Sequence, residues 1–131
     1  MQLSSEVMQR CGVRVAYLFG SRARGQECEG SDLDLAFWFA ESTTALERLD
    51  QITALESALR VQSEVPLDLI SLNDASPALA YEAVIRGQNL YRESFEAMFE
   101  LEQRVRGRYE DLVASQRFFT SARRERMGLT G

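Results

Sequence analysis

Two apolar runs separated by a polar connection constrain the fold of this chain more than any other feature. Val13 to Phe19 (VRVAYLF) stops at Gly20-Ser21, and a second run, LDLAFWFA, opens behind Asp32 and carries Asp34 inside it. Short runs rich in aromatic and β-branched residues, bounded by Gly, Ser and acidic residues, read as strands. Beyond Asp34 the second run is apolar on both faces, which places it in the middle of a sheet. Side chains alternate across a strand, so Asp32 and Asp34 project to one face while Leu33 and Leu35 project to the other. Like charges held roughly 7 Å or less apart repel, and an oxygen-seeking divalent cation, magnesium first among them, relieves the repulsion.

The connection between the runs supplies the complementary chemistry. Gly20 lets the backbone come close to a ligand, and Ser21, placed at a helix N-terminus, offers a hydroxyl beside free N–H groups. That is an anion site suited to phosphate. Arg22 and Arg24 follow with guanidinium forks for phosphate oxygens, and Gly30-Ser31 forms the turn that aims Asp32. A polyphosphate held at Gly20-Ser21 with its metal on Asp32 and Asp34 is the geometry of nucleotidyl transfer.

Composition removes most competing chemistries. All 15 basic residues are arginine, and the chain has no histidine. A Walker-type or Schiff-base lysine, a histidine base and a histidine metal site are therefore excluded. A net charge of −5 gives no global field to attract nucleic acid or an anionic membrane. Cys11 and Cys28 form neither a CxxC motif nor a zinc framework and read as reduced thiols. No apolar stretch reaches the ~18 residues that span a bilayer, and the N-terminus has no leader pattern, so a cytoplasmic location is expected.

The remaining elements follow from local signals. Residues 3–10 form a short helix with Ser4 or Ser5 as N-cap, ended by Gly12. Ser21 to about Gly25 makes a brief helical turn. Thr44 and Glu47 match a capping box, and Leu46, Leu49, Ile52, Leu55 and Leu59 recur at helical spacing, which predicts a helix over 44–60. Pro66 admits a strand over 67–72. Ser76-Pro77 reads as N-cap and first helical residue, Gly87 as the stop of a helix over 77–86, and 89–92 as an extended piece. Ser94 starts the longest helix, with Phe95, Met98, Phe99, Val105, Tyr109, Leu112 and Val113 as its apolar stripe. The basic end, FFTSARRERMGLTG, is expected frayed or partner-bound, with Phe118 and Phe119 left as apolar surface. Phe37, Trp38 and Phe39 read as core. The whole predicts an α/β (α+β) domain with a small mixed sheet and helices mainly on one face. Residues 1–131 form a single domain, with a core over about 10–93 and a C-terminal helix and tail over 94–131.

LFGSRARG followed by GSDLDL resembles the polymerase-beta-like nucleotidyltransferases, specifically their minimal nucleotidyltransferase (MNT) branch. ALAYEAVIRGQNLYRE resembles that family's C-terminal helix, glycine and short strand, so the likeness covers roughly residues 10–95. The resemblance implies that family's fold, ATP as substrate and two Mg2+ ions. It gives the metals to Asp32, Asp34 and Asp68, and makes Asp68, inside VPLDLISL, the third carboxylate, which activates the attacking hydroxyl. Gly20, Ser21, Arg22 and Arg24 would then hold the nucleotide. An unpaired buried carboxylate is costly, which also argues against Asp68 as a solitary charge among its aliphatic neighbours. Small MNT proteins are antitoxins of HEPN-domain RNase toxins, which they neutralise by transferring AMP to a toxin tyrosine. That activity and that partner are expected here, without direct nucleic-acid or membrane binding. The alternatives are an antitoxin that acts by binding alone, and a small-molecule nucleotidyltransferase of the aminoglycoside-modifying kind.

Overall fold

The computed structural model describes residues 2–20, 25 and 32–128. Helix α1 (Ser5–Arg10) is capped by Ser4, whose side chain accepts from the Val7 N–H. Gly12, at φ +73, then turns the chain into β1 (Val13–Phe19). β2 (Leu33–Phe39) leads to α2 (Ala45–Arg60), where Thr44 and Glu47 close the capping box from both sides. β3 (Leu67–Ser71) is followed by α3 (Pro77–Val84), with Ser76 as N-cap and proline at the first helical position. β4 (Gln88–Arg92) and α4 (Phe95–Arg126), capped by Ser94, complete the chain. These boundaries lie within two residues of those expected, apart from the end of α4.

The four strands form one mixed sheet in the order β3-β2-β1-β4. β1 runs antiparallel to β2 and β4, whereas β2 and β3 are parallel and joined through α2. β2 is internal, as its two-sided apolarity requires. Register slips between Ala16 and Tyr17 opposite β4, and there the Asn89 amide donates to the carbonyls of Ala16 (3.1 Å) and Tyr91 (2.9 Å).

Helices cover both faces of the sheet, where mainly one was expected. Met8, Leu55 and Leu59 from α1 and α2 pack on Leu33, Leu35, Phe37 and Phe39. Ala80, Ala83 and Val84 of α3 and Ala97, Leu101 and Val105 of α4 pack on Val15, Tyr17, Ala36 and Trp38. The reason lies in the strands themselves: β1 and β2 bury almost every residue, so neither face tolerates water. Trp38 is core, as expected, and Arg14 lies over its ring at 4.5 Å. Cys11 is buried; burial pushes its thiol up despite Arg10, which disfavours the reactive thiolate. Cys28 lies outside the described residues. Among the described residues no helix is long and apolar enough to cross a membrane.

Two helical stripes point elsewhere than the spacing suggested. Leu46 and Leu49 are 70% and 60% exposed, while Ile52, Leu55 and Leu59 face the core. Successive steps of three residues precess by about 60° around a helix, so Leu46 and Leu55 end on opposite sides. In α4 the buried residues are Ala97, Leu101 and Val105, at strict spacing of four, and Phe95 and Phe99 face outward. Helix α4 extends into the basic end as far as Arg126. Gly107 is the one proline-or-glycine break in it, and Arg123, Arg124 and Arg126 in the last turn complement the helix dipole.

Candidate active site

The site is built where β1 ends and β2 and β3 begin. Antiparallel pairing sets Phe19 opposite Asp34, so that Gly20 follows directly beside the carboxylate. Parallel pairing sets Asp34 opposite Asp68, locked by the Leu33 N–H donating to the Pro66 carbonyl at 2.9 Å. Alternation puts Asp34 on the same face as Ala36 and Trp38, which is the face covered by α3 and α4. Asp32 precedes β2 and is exposed, at the parity the sequence indicated.

The other two acids act on Asp34. Asp34 is half-buried and its pKa is raised above 3.8, first by burial, then by the charges of Asp68 and Asp32, with a hydrogen bond to Asp68 adding to the effect. Asp34 and Asp68 are the close pair, and Asp32 adds charge from the rim. Among the described residues no three acids are already closed into a metal cage. The donor set fits a hard divalent cation nonetheless: it is all oxygen, and like charges raise the pKa of its half-buried member.

Asp68 corrects one expectation. It is exposed on an edge strand, not buried among its aliphatic neighbours, because Leu67 and Leu69 turn to the α1/α2 core while Asp68 turns to the other face. Its place comes from register with Asp34 and not from burial.

Gly20 has φ +77, and a Cβ built there would stand 2.3 Å from Asp34 Oδ2. The backbone thus closes on the carboxylate where only glycine fits. Gly87, read from sequence as a helix stop, carries a second duty. A Cβ there would stand 2.0 Å from the Ala83 carbonyl oxygen and 2.7 Å from that of Leu18, so it lets the α3–β4 turn press on β1 two residues before Gly20. A glycine directly after a helix is the sequence signal, but nothing local reveals the contact with Leu18. Ser21, Arg22 and Arg24, and with them Gly30 and Ser31, lie outside the described residues.

A cavity of about 340 Å³ lies at the other end of the sheet, lined by Trp38, Leu72, Asn73, Arg48, Arg104 and Arg108 among others. Trp38 is four residues beyond Asp34, roughly 13 Å along the strand. Two of its arginines are paired with acids: Arg48 is bidentate to Asp74 at 2.8 Å, and Arg104 pairs with Glu41 and Glu100, while Arg108 donates to the Ala75 carbonyl at 3.4 Å.

Comparison with known proteins agrees with this geometry. The family model described as polymerase beta, nucleotidyltransferase, matches residues 2–96. The protein adenylyltransferase MntA of Shewanella oneidensis is 32% identical over 79 residues, which is 60% of this chain and 54% of that protein. The chain thus spans about half the length of the curated relative it matches. Among solved structures, a toxin–antitoxin complex with AMP-PNP contains a chain that matches with a TM-score of 0.68 at 24% identity, over 89% of this chain and 92% of that one. A complex of tri-AMPylated Shewanella oneidensis HEPN toxin with MNT antitoxin matches with a TM-score of 0.62 at 22% identity, over 89% of each. The structural likeness takes in part of α4, beyond the residue 96 at which the family match ends.

Proposed function

The chain belongs to the polymerase beta nucleotidyltransferase family, and from that premise we propose that it is an antitoxin that transfers AMP from ATP to a tyrosine hydroxyl of a HEPN-type RNase toxin. The observation that carries the reading is the apposition of Asp34 and Asp68 across parallel strands, with Asp32 at the rim and Gly20 closing on Asp34. The transfer forms a bond from the tyrosine oxygen to the α-phosphorus and breaks the bond to the β-phosphate bridge, so that pyrophosphate leaves.

Asp68, exposed and in register with Asp34, would take the phenolic proton as the oxygen attacks. Asp32, Asp34 and Asp68 would hold Mg2+, which when bound would stabilise the negative charge that develops in the transfer. Gly20 brings the backbone close to Asp34, and Gly20, Ser21, Arg22 and Arg24 would hold the nucleotide phosphates. The curated relative's activity and the toxin-bound relatives support the choice of acceptor. The whole chain works as one domain, in the cytoplasm beside its partner.

Incubating the chain with the HEPN protein encoded beside it, ATP and magnesium should add multiples of about 329 Da per AMP to that protein by intact mass spectrometry. No added mass with the wild type refutes the reading. A second reading, inhibition by binding alone, is favoured by the length of α4 beyond the sheet. It predicts that Asp32→Ala plus Asp34→Ala still rescues growth of cells expressing the toxin, whereas transfer predicts that rescue is lost.

A further inference from the structure

The last third of α4 stands clear of the domain. Beyond Val113 every described residue to Gly128 is exposed except Ala122, which is half-buried. This arm covers some 20 Å at 1.5 Å per residue. An isolated helix of that length is marginal in water, and its stability has to come from packing of one face.

A packing face is present. The buried stripe of α4, Ala97, Leu101 and Val105, continues in helical register through half-buried Leu112 to Phe119 and Ala122. Phe119 is thus in line with the core residues but past the end of the sheet. Phe118 and Phe119 are 69% and 63% exposed and touch each other edge to face, with centroids 5.7 Å apart. Two adjoining phenylalanines on a free helix form the kind of patch that marks a protein interface.

Charge narrows the occupant. Residues 112–131 hold four arginines, Arg117, Arg123, Arg124 and Arg126, against one acid, Glu125, for a net +3; residues 1–111 then carry −8 of the chain's −5 total. Pairing of two arms would oppose +3 to +3, which disfavours an arm-to-arm dimer. The two phenylalanines favour an apolar groove over a nucleic-acid backbone.

We propose that this arm is the docking element for the toxin: Phe118 and Phe119 enter an apolar groove on the partner whose rim is acidic and meets Arg123, Arg124 and Arg126. The inference rests on the proposed adenylylation reading and adds to it a surface remote from the carboxylates. A single tyrosine offers the active site little area for recognition, and the arm supplies that area while leaving the site open to the hydroxyl.

The test is calorimetric titration of the neighbour-encoded toxin with the full-length chain, its Phe118→Glu plus Phe119→Glu variant and its Arg123→Glu plus Arg124→Glu variant. Each is also assayed for AMP transfer by intact mass and for binding of AMP-PNP with magnesium. Loss of two hot-spot aromatics should weaken toxin binding by about 100-fold or more and lower kcat/KM for the toxin in proportion, with AMP-PNP affinity unchanged. The arginine variant should slow association and flatten its salt dependence. Toxin binding within threefold of wild type in the phenylalanine variant overturns the inference while leaving the transfer reading intact. Absence of both binding and transfer in the wild type refutes the transfer reading instead. Light scattering that shows the chain alone as a dimer, monomeric in the phenylalanine variant, assigns the arm to a second copy and overturns the proposal.

Discussion

Gly20→Ala tests most sharply how the backbone positions the site. The substitution has two separable effects. Alanine at φ +77 lies in the left-handed region, at a cost of about 1–2 kcal/mol. In a domain of this size that corresponds to a melting temperature lower by roughly 3–10 °C. In addition, the new Cβ would sit 2.3 Å from Asp34 Oδ2, and Cβ contacts under 3.0 Å are essentially never kept, so the carboxylate has to retreat by at least 0.7 Å. A misplacement near 1 Å in a positioned group lowers turnover by on the order of 10²-fold. Gly12→Ala separates the two effects. Its φ of +73 brings the same strain, but its Cβ meets the side-chain amide of Gln51, away from the carboxylates. Both variants should melt earlier, and only Gly20→Ala should lose AMP transfer, measured as kcat/KM by intact mass at a temperature where both are folded. Transfer by Gly20→Ala within threefold of Gly12→Ala would refute the claim that Gly20 fixes Asp34.

Other perturbations follow from the same structure. Asp34 has its folded-state pKa raised, so its ionisation opposes folding: stability is lost as pH rises from 3.8 through the folded value, and stays lost above it. Asp34→Asn should therefore raise the melting temperature at pH 7 in chelator and leave it unchanged near pH 3, checked by thermal melts at both. Removing a neighbouring charge with Asp68→Asn should lower the Asp34 pKa, read by carboxyl-carbon NMR titration; an unchanged value would mean that the two acids do not interact. Gly107→Ala, in α4 with open space around its Cβ, should stabilise by about 0.8–1.0 kcal/mol in urea denaturation. Tyr17 is buried with no hydrogen-bond partner for its hydroxyl among the described residues, so Tyr17→Phe should be neutral or stabilising. A loss above about 1 kcal/mol would reveal a partner for the phenol.

The strands and helix starts were legible because each has a local cause. β1 begins after a glycine turn and ends at another, and the caps at Thr44, Ser76 and Ser94 are side-chain to backbone contacts within three residues. The pairing of Asp32 and Asp34 was legible too, since strand alternation alone aligns them. What failed depends on tertiary context. Which flank of α2 faces inward is set by the sheet, and the three-residue steps that linked Leu46 to Leu55 turn halfway round the helix. Phe95 and Phe99 are larger than Ala97 and Leu101, yet the smaller residues are the ones that fit against β1 and β4. Asp68 lies beside Asp34 for a reason no local window contains, because its position comes from register with a strand 34 residues away in sequence. The Gly87 contact with Leu18 is likewise long-range, and no window of sequence contains both partners.

The central claim is that the Asp34–Asp68 pair performs transfer and does not merely support a binding surface. The most direct measurement is the rate of AMP addition to the toxin by Asp34→Asn and by Asp68→Asn, set beside each variant's affinity for that toxin. The account predicts that each single variant binds the toxin within threefold of wild type and transfers AMP at least about 10³-fold more slowly, since a carboxylate proposed to hold the metal or take the proton has been neutralised. Wild-type rates of addition with either variant would contradict it.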